Sequence, residues 1–197
     1  MALRYGEYRE SVDIHCLVSR VEGYRHLRQR LTGPDGLRAI TRAGHTLSQT
    51  REVRADQYGI RTMLQVDGAD IKFEIVLEGR FDLEAPGPGD QQCGVATLTP
   101  LDMATSKLLA NSDRWRDDAV MSRDLIDLAM MAPTKVLLKQ ALAKAQGAYG
   151  DSVATDLARA VEDLRARPHR LDQCMQAMAL THVSKAALWA RIRALVR

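Results

Sequence analysis

The 197-residue sequence is poor in cysteine and in aromatic residues, and it contains no long apolar run. Its three cysteines, Cys16, Cys93 and Cys174, are scattered, odd in number and without metal-ligand spacing. This pattern excludes a disulfide framework and is typical of a reducing compartment, so we expect a cytoplasmic protein. No stretch approaches the roughly 18 apolar residues that a membrane span requires, and the N-terminus lacks a signal-peptide core. We therefore expect no membrane partner.

The composition is that of an ordinary folded chain, but its charge is unevenly distributed. Apolar residues make up 46% and charged residues 27%, which excludes wholesale disorder. Residues 1–132 contain 17 Lys and Arg against 20 Asp and Glu, a net charge of −3, whereas residues 133–197 contain 11 against 5, a net charge of +6. The basic tail indicates either a polyanionic partner or a solvated helix surface.

The first half of the sequence alternates like strands and the second half repeats like helices. Strands are predicted at residues 12–18, 60–66, 71–77 and 95–98, with a hairpin turn at Asp67-Gly68 and a helix over 24–31. Thr99-Pro100-Leu101-Asp102 has the cap, proline and carboxylate of a helix start. Further helices are predicted at 100–112, 122–131, 134–148, 151–166, 170–180 and 184–196. The predicted class is α+β, with a small mixed sheet and helices in residues 1–99 and a helical region in residues 100–197.

Two acidic side chains occupy the polar faces of predicted strands. In the first strand Val12, Ile14, Cys16 and Val18 share one face, and Asp13, His15 and Leu17 share the other. Glu74 lies beside Lys72 on the polar face of the strand at 71–77. Carboxylates from two strands of one sheet can converge on a divalent metal. Alternatively, both strands are half-exposed and balanced by Lys72 and Arg9.

A second charged group surrounds Lys107, near the middle of the helix that starts at Pro100. Asp124 and Asp127 are three residues apart and therefore lie on one face of the next helix. A lysine beside aspartates can hold nucleotide phosphates, and it can equally form a salt bridge between helices. The pattern leaves both interpretations open.

Four segments together resemble the AbiEii family, which comprises nucleotidyltransferase-fold proteins that are the toxin halves of type IV toxin–antitoxin systems. They are Arg9-Glu-Ser-Val-Asp-Ile-His15, the strand ending at Val76, Leu98-Thr-Pro-Leu-Asp-Met-Ala-Thr-Ser-Lys-Leu-Leu-Ala110, and Ser122-Arg-Asp-Leu-Ile-Asp-Leu128. The similarity covers about residues 1–132, and the block from Lys107 to Asp127 is its most specific part. The resemblance implies a nucleotidyltransferase-like sheet.

The resemblance also implies roles for particular residues. Asp13, Glu74 and Lys107 match the catalytic positions, and Asp13, His15 and Glu74 match the positions that hold Mg²⁺ or Mn²⁺. Nucleotide binding is implied for Ser11, Lys107, Asp124 and Asp127. The implied reaction moves a nucleoside monophosphate from an NTP to an RNA such as tRNA, or to a protein, and the implied partner is an antitoxin.

The sequence departs from the family pattern in two places. The second aspartate of the strand pair is His15, which brings no negative charge and suits softer ions than Mg²⁺. The glycine turn that precedes the strand in the family is missing, since residues 1–6 look like the end of the helix that follows that turn. The missing turn predicts either a true start further upstream or a truncated copy, and the two departures together predict weakened or absent catalysis. The alternative function is a non-catalytic module that keeps the fold and binds nucleic acid or an antitoxin.

Overall fold

The structure, a computed structural model, describes residues 1–11 and 13–196. Val12, predicted to share a face with Ile14, therefore lies outside the described residues. The chain divides into two compact units. One is Ser11–Asp82, called here the sheet unit, and the other combines Met1–Glu10 with Leu83–Arg197 and is called the helical unit.

The sheet unit contains a four-stranded mixed sheet and one long helix. Its elements are β1 (Asp13–Val18), α1 (Val21–Thr32), a 3-10 helix (Gly36–Ile40), β2 (Ser48–Ala55), β3 (Gly59–Val66) and β4 (Ala69–Leu77). The strand order is β1-β4-β3-β2, with β1 parallel to β4 and the other pairs antiparallel. The predicted strands and α+β class are confirmed. Strand β2 was not predicted, because its exposed polar residues do not alternate with apolar ones.

The turn between β3 and β4 follows from its two central residues. Asp67 has a φ of 50° and Gly68 a φ of 81°. Positive φ at both positions is the hallmark of a type I′ turn, whose twist matches that of the flanking strands. The predicted hairpin is thereby confirmed.

One face of this sheet packs against α1. The core consists of Tyr24, Leu31, Leu37, Ile60, Leu64 and Ile75, with Cys16, Val18 and Phe73 partly buried against it. Because side chains alternate along a strand, the intervening polar residues occupy the opposite face. That polar face carries the acidic residues predicted from the sequence.

The helical unit contains a short hairpin and six helices. Its elements are a 3-10 helix (Ala2–Tyr5), β5 (Gln91–Gln92), β6 (Val95–Ala96), α2 (Pro100–Arg114), a 3-10 helix (Asp118–Val120), α3 (Arg123–Met130), α4 (Lys135–Tyr149), α5 (Ser152–Ala166), α6 (Arg170–Ala177) and α7 (Lys185–Ala194). All six predicted helices are confirmed. Thr99, Thr134 and Ser184 each accept a backbone hydrogen bond as N-caps of α2, α4 and α7. Across the described residues, no helix has the length and apolar character to cross a membrane.

Candidate functional site

The polar face of the sheet carries the three residues predicted to hold a metal, Asp13, His15 and Glu74. In the parallel pairing of β1 and β4, Asp13 lies opposite Lys72 and His15 lies opposite Glu74. Residues opposite one another share a face, so all four side chains leave the sheet on the same side. The Ser11 hydroxyl donates to Asp13 Oδ1 at 3.2 Å. The predicted shared polar face is therefore present.

Glu74 is engaged by two cations. Its Oε1 is 3.2 Å from Arg61 Nε and its Oε2 is 3.0 Å from Lys72 Nζ. The carboxylate is only 13% exposed, so these contacts neutralise much of a charge that water would otherwise solvate. Lys72 thus balances Glu74, as one interpretation of the sequence predicted. Arg9, the other residue in that interpretation, instead binds Asp127.

These residues do not fit a centre for two magnesium ions. Over residues 1–11 and 13–196, no group of three or more His, Cys, Asp or Glu side chains is arranged to hold a metal. Mg²⁺ requires oxygen ligands, whereas position 15 supplies an imidazole and Glu74 already binds two cations. This donor set therefore does not fit Mg²⁺.

The helical unit contains a buried charge cluster centred on Asp127, whose side chain is fully buried. Tyr8 Oη donates to Asp127 Oδ1 at 2.5 Å, and Arg9 Nε donates to the same oxygen at 2.8 Å. Arg9 Nη2 and Lys107 Nζ donate to Oδ2 at 3.1 and 2.6 Å. Four hydrogen bonds from three side chains therefore fix this carboxylate.

Lys107 joins Asp127 to a second aspartate. Its Nζ donates to Asp124 Oδ1 at 3.1 Å, and Arg114 binds the same carboxylate through Nε at 2.7 Å and Nη2 at 3.0 Å. Asp124 and Asp127 share one face of α3 because they are three residues apart, as predicted. The salt bridge between helices is therefore formed. The side chains of Lys107 and Arg114 remain 18% and 38% exposed, so both are partly accessible to solvent.

The cluster keeps both aspartates ionised. Burial by itself raises the pKa of Asp127, but the charge of Lys107 and the hydrogen bonds of Arg9 outweigh it and lower the pKa to about 2. Burial likewise opposes ionisation of Asp124, yet Arg114 and Lys107 hold its pKa below the ordinary value. Burial, followed by the negative charge of Asp127, raises the pKa of Tyr8, whose phenol therefore stays neutral.

Sequence reasoning missed Tyr8 and gave Arg9 and Arg114 no part in this cluster. Arg114 follows Lys107 by seven residues, which is about two helical turns, so both lie on one face of α2. This spacing could have predicted that Arg114 belongs to the cluster. No local pattern marks Tyr8, which lies 119 residues from its acceptor. The predicted meeting of Asp13 and Glu74 with Lys107 stays a prediction, because these residues belong to different units.

Three arginines of the basic tail pair with neighbouring acids. Arg165 pairs with Glu162 at 2.7 Å. Arg167 pairs with Asp118 at 2.7 Å and also with Asp163, and Arg170 pairs with Asp118 at 3.2 Å. These three arginines therefore offer less positive charge to a polyanion than their number suggests.

The chain is similar to a known protein family. A family model described as "Nucleotidyl transferase AbiEii toxin, Type IV TA system" matches residues 1–195. The similarity thus extends well beyond residue 132, where the sequence motifs ended, and it gives no support to the predicted N-terminal truncation. No match is found among curated proteins or among solved structures.

Proposed function

The chain belongs to the AbiEii family of nucleotidyltransferase toxins of type IV toxin–antitoxin systems, and on that premise we propose that it transfers a nucleoside monophosphate from an NTP to an RNA acceptor, such as tRNA, or to a protein acceptor. The observation that carries the proposal is the polar face of the sheet. There Asp13 and Glu74, which match reacting positions of the family pattern, lie on adjacent strands and share a face with His15, which departs from that pattern. The rate is low because His15 replaces a carboxylate.

The cluster around Lys107 supports the binding of a triphosphate. The cluster contains three positive charges, from Arg9, Lys107 and Arg114, and two negative charges, from Asp124 and Asp127. Its net charge is therefore +1. Because two carboxylates anchor Lys107, its ammonium is held in place before any nucleotide arrives. Lys107 and Ser11 are proposed as phosphate contacts, with Asp124 and Asp127 as the residues that position Lys107.

Mg²⁺ or Mn²⁺ is the cofactor that the family pattern implies. The imidazole of His15 and the cation-bound Glu74 supply too little negative charge for it. His15→Asp would add the missing oxygen donors on the same face. The proposal therefore predicts that this single substitution increases the rate of transfer.

The test incubates the protein with each α-³²P-labelled NTP and total tRNA, in Mg²⁺ or in Mn²⁺, and resolves labelled RNA and labelled protein on gels. We expect a slow product with the wild-type chain and a rise of about tenfold or more in H15D, which is about 1.4 kcal/mol of barrier. Asp13→Ala should abolish the product. Asp35→Ala removes a carboxylate that is 74% exposed in the same unit and should leave the rate unchanged.

Two results would contradict transfer at the site that contains Asp13. One is a product that survives Asp13→Ala. The other is a complete lack of product in both the wild-type chain and H15D, with every NTP and either metal.

A second candidate function is a non-catalytic module that engages an antitoxin or nucleic acid. It is favoured by the neutralisation of Glu74 by Arg61 and Lys72 and by the lack of a three-ligand metal group in the described residues. Calorimetric titration with NTPs separates the two functions. A module binds its partner but takes up no nucleotide, whereas a transferase binds NTP and loses that binding in Lys107→Met.

A further inference from the structure

The polar face of the sheet changes from basic to acidic across its four strands. Two rows of residues cross it, each row taking one residue from each of β2, β3, β4 and β1. The first row is Arg51, Met63, Lys72 and Asp13, and the second is Arg54, Arg61, Glu74 and His15. Asp13 and His15 lie on β1 at one edge of the sheet, and Arg51 and Arg54 lie on β2 at the other edge.

A β-bulge places both edge arginines on this face. Residues three apart on a regular strand point to opposite sides of the sheet. Between Arg51 and Arg54 the register shifts, so that these residues lie opposite Met63 and Arg61, which are two apart and share a face. A bulge inserts one extra residue and thereby re-aims a side chain, a device common beside active sites. The bulge thus adds a second arginine to the polar face.

These arginines are available to a ligand. Arg51 and Arg54 are exposed, and neither forms an ion pair with any other described residue. They line a cavity of about 570 Å³ together with Glu52, Arg61, Thr62, Met63 and Lys72. Arg61 and Lys72 already form ion pairs with acids. The positive charges in this cavity that lack an ion-pair partner among the described residues are therefore those of Arg51 and Arg54.

We propose that this cavity binds the phosphate backbone of the RNA acceptor, an inference that rests on the proposed function. Guanidinium groups bind phosphate through two parallel hydrogen bonds, which suits Arg for recognition of a nucleic-acid backbone. Strands in a sheet are about 4.8 Å apart, so β2 lies about 14 Å from β1. An RNA end that crosses the strands from Arg51 and Arg54 reaches Asp13 and His15. In this proposal the acceptor is RNA, and it enters at the β2 edge.

The test measures the affinity of the full chain for total tRNA as a function of salt. Each phosphate contact on a single strand adds about 0.7 to the slope of log affinity against log salt. The double substitution R51E/R54E should lower that slope by about 1.4 and weaken binding by about tenfold or more. R25E/R38E makes the same change of charge on exposed arginines of the same unit outside the cavity, and it should retain the wild-type slope.

The outcomes separate this inference from the proposed function. Loss of tRNA binding in R51E/R54E, with R25E/R38E unchanged, supports the binding surface even if no transfer is detected. Transfer to tRNA that is equally fast in R51E/R54E and wild type overturns the surface and leaves the transferase intact. Labelling of a protein and not of RNA also overturns it. Circular dichroism establishes that both double variants are folded.

Discussion

Replacing Asp127 with asparagine tests how much the buried charge cluster stabilises the helical unit. Asn keeps the size of the side chain and removes its charge. The variant leaves Arg9, which is 11% exposed, without an ionised partner, and it leaves Lys107 with Asp124 alone. A cation that stays buried without its partner is costly, because water cannot replace the lost carboxylate.

Two estimates bound the loss of stability expected in D127N. The pKa of Asp127 is about 2, against an ordinary value of 3.8. At about 1.4 kcal/mol per pKa unit, this difference corresponds to about 2 kcal/mol at pH 7. Breaking a buried ion pair by removing one partner costs about 3–5 kcal/mol. We therefore expect D127N to lower the free energy of unfolding by between about 2 and 5 kcal/mol at pH 7.

The two pKa values of Asp127 also predict how its contribution to stability depends on pH. The folded-state pKa of Asp127 lies below the unfolded value, so its stabilisation is fully present above about pH 4. It is lost as the pH falls from about 3.8 towards about 2, where the folded carboxylate itself becomes protonated. D127N has no such carboxylate, so the gap in stability between it and the wild-type chain should narrow over that window.

Urea unfolding followed by tryptophan fluorescence measures this effect, since both tryptophans, Trp115 and Trp189, belong to the helical unit. Asp172→Asn is the control, because Asp172 forms an ion pair with Lys185 in which both side chains are about half exposed. Such surface pairs contribute about 1 kcal/mol or less. A D127N chain within about 1 kcal/mol of D172N at pH 7 would refute the stabilising role of the cluster.

Two further predictions concern local structure. Thr99→Ala removes the N-cap of α2 and the hydrogen bond to Glu84, so it should lower the free energy of unfolding in urea by about 1–2 kcal/mol. Thr99→Ser keeps the hydroxyl and should retain most of that stability. Equal losses of stability in the two variants would contradict capping. Gly68→Val forces a β-branched residue to a φ of 81° and should cost about 1–2 kcal/mol, seen as faster amide exchange in β3 and β4. The control is Gly79→Val, because Gly79 also faces open space but does not have a positive φ. Equal amide exchange rates in the two variants would contradict the role of the positive φ at Gly68.

The success of the sequence predictions depended on the range of the interaction. The helix starts at Thr99, Thr134 and Ser184, and the hairpin at Asp67-Gly68, all follow from side-chain chemistry within four residues. Edge strand β2 was missed because an exposed polar strand leaves no alternation to detect. Its pairing with β3 depends on partners along the chain that no local pattern specifies.

The sequence by itself determined the periodicities of helices and strands, the shared face of Asp124 and Asp127, and the polar side of β1 and β4. Only the tertiary structure decided that Tyr8 and Arg9 bind Asp127, that Asp118 pairs with Arg167 and Arg170, and that a bulge turns Arg51 and Arg54 to one face. The physical reason is that backbone geometry fixes the direction of a side chain within a few residues. Which distant charge it meets depends on how the elements pack.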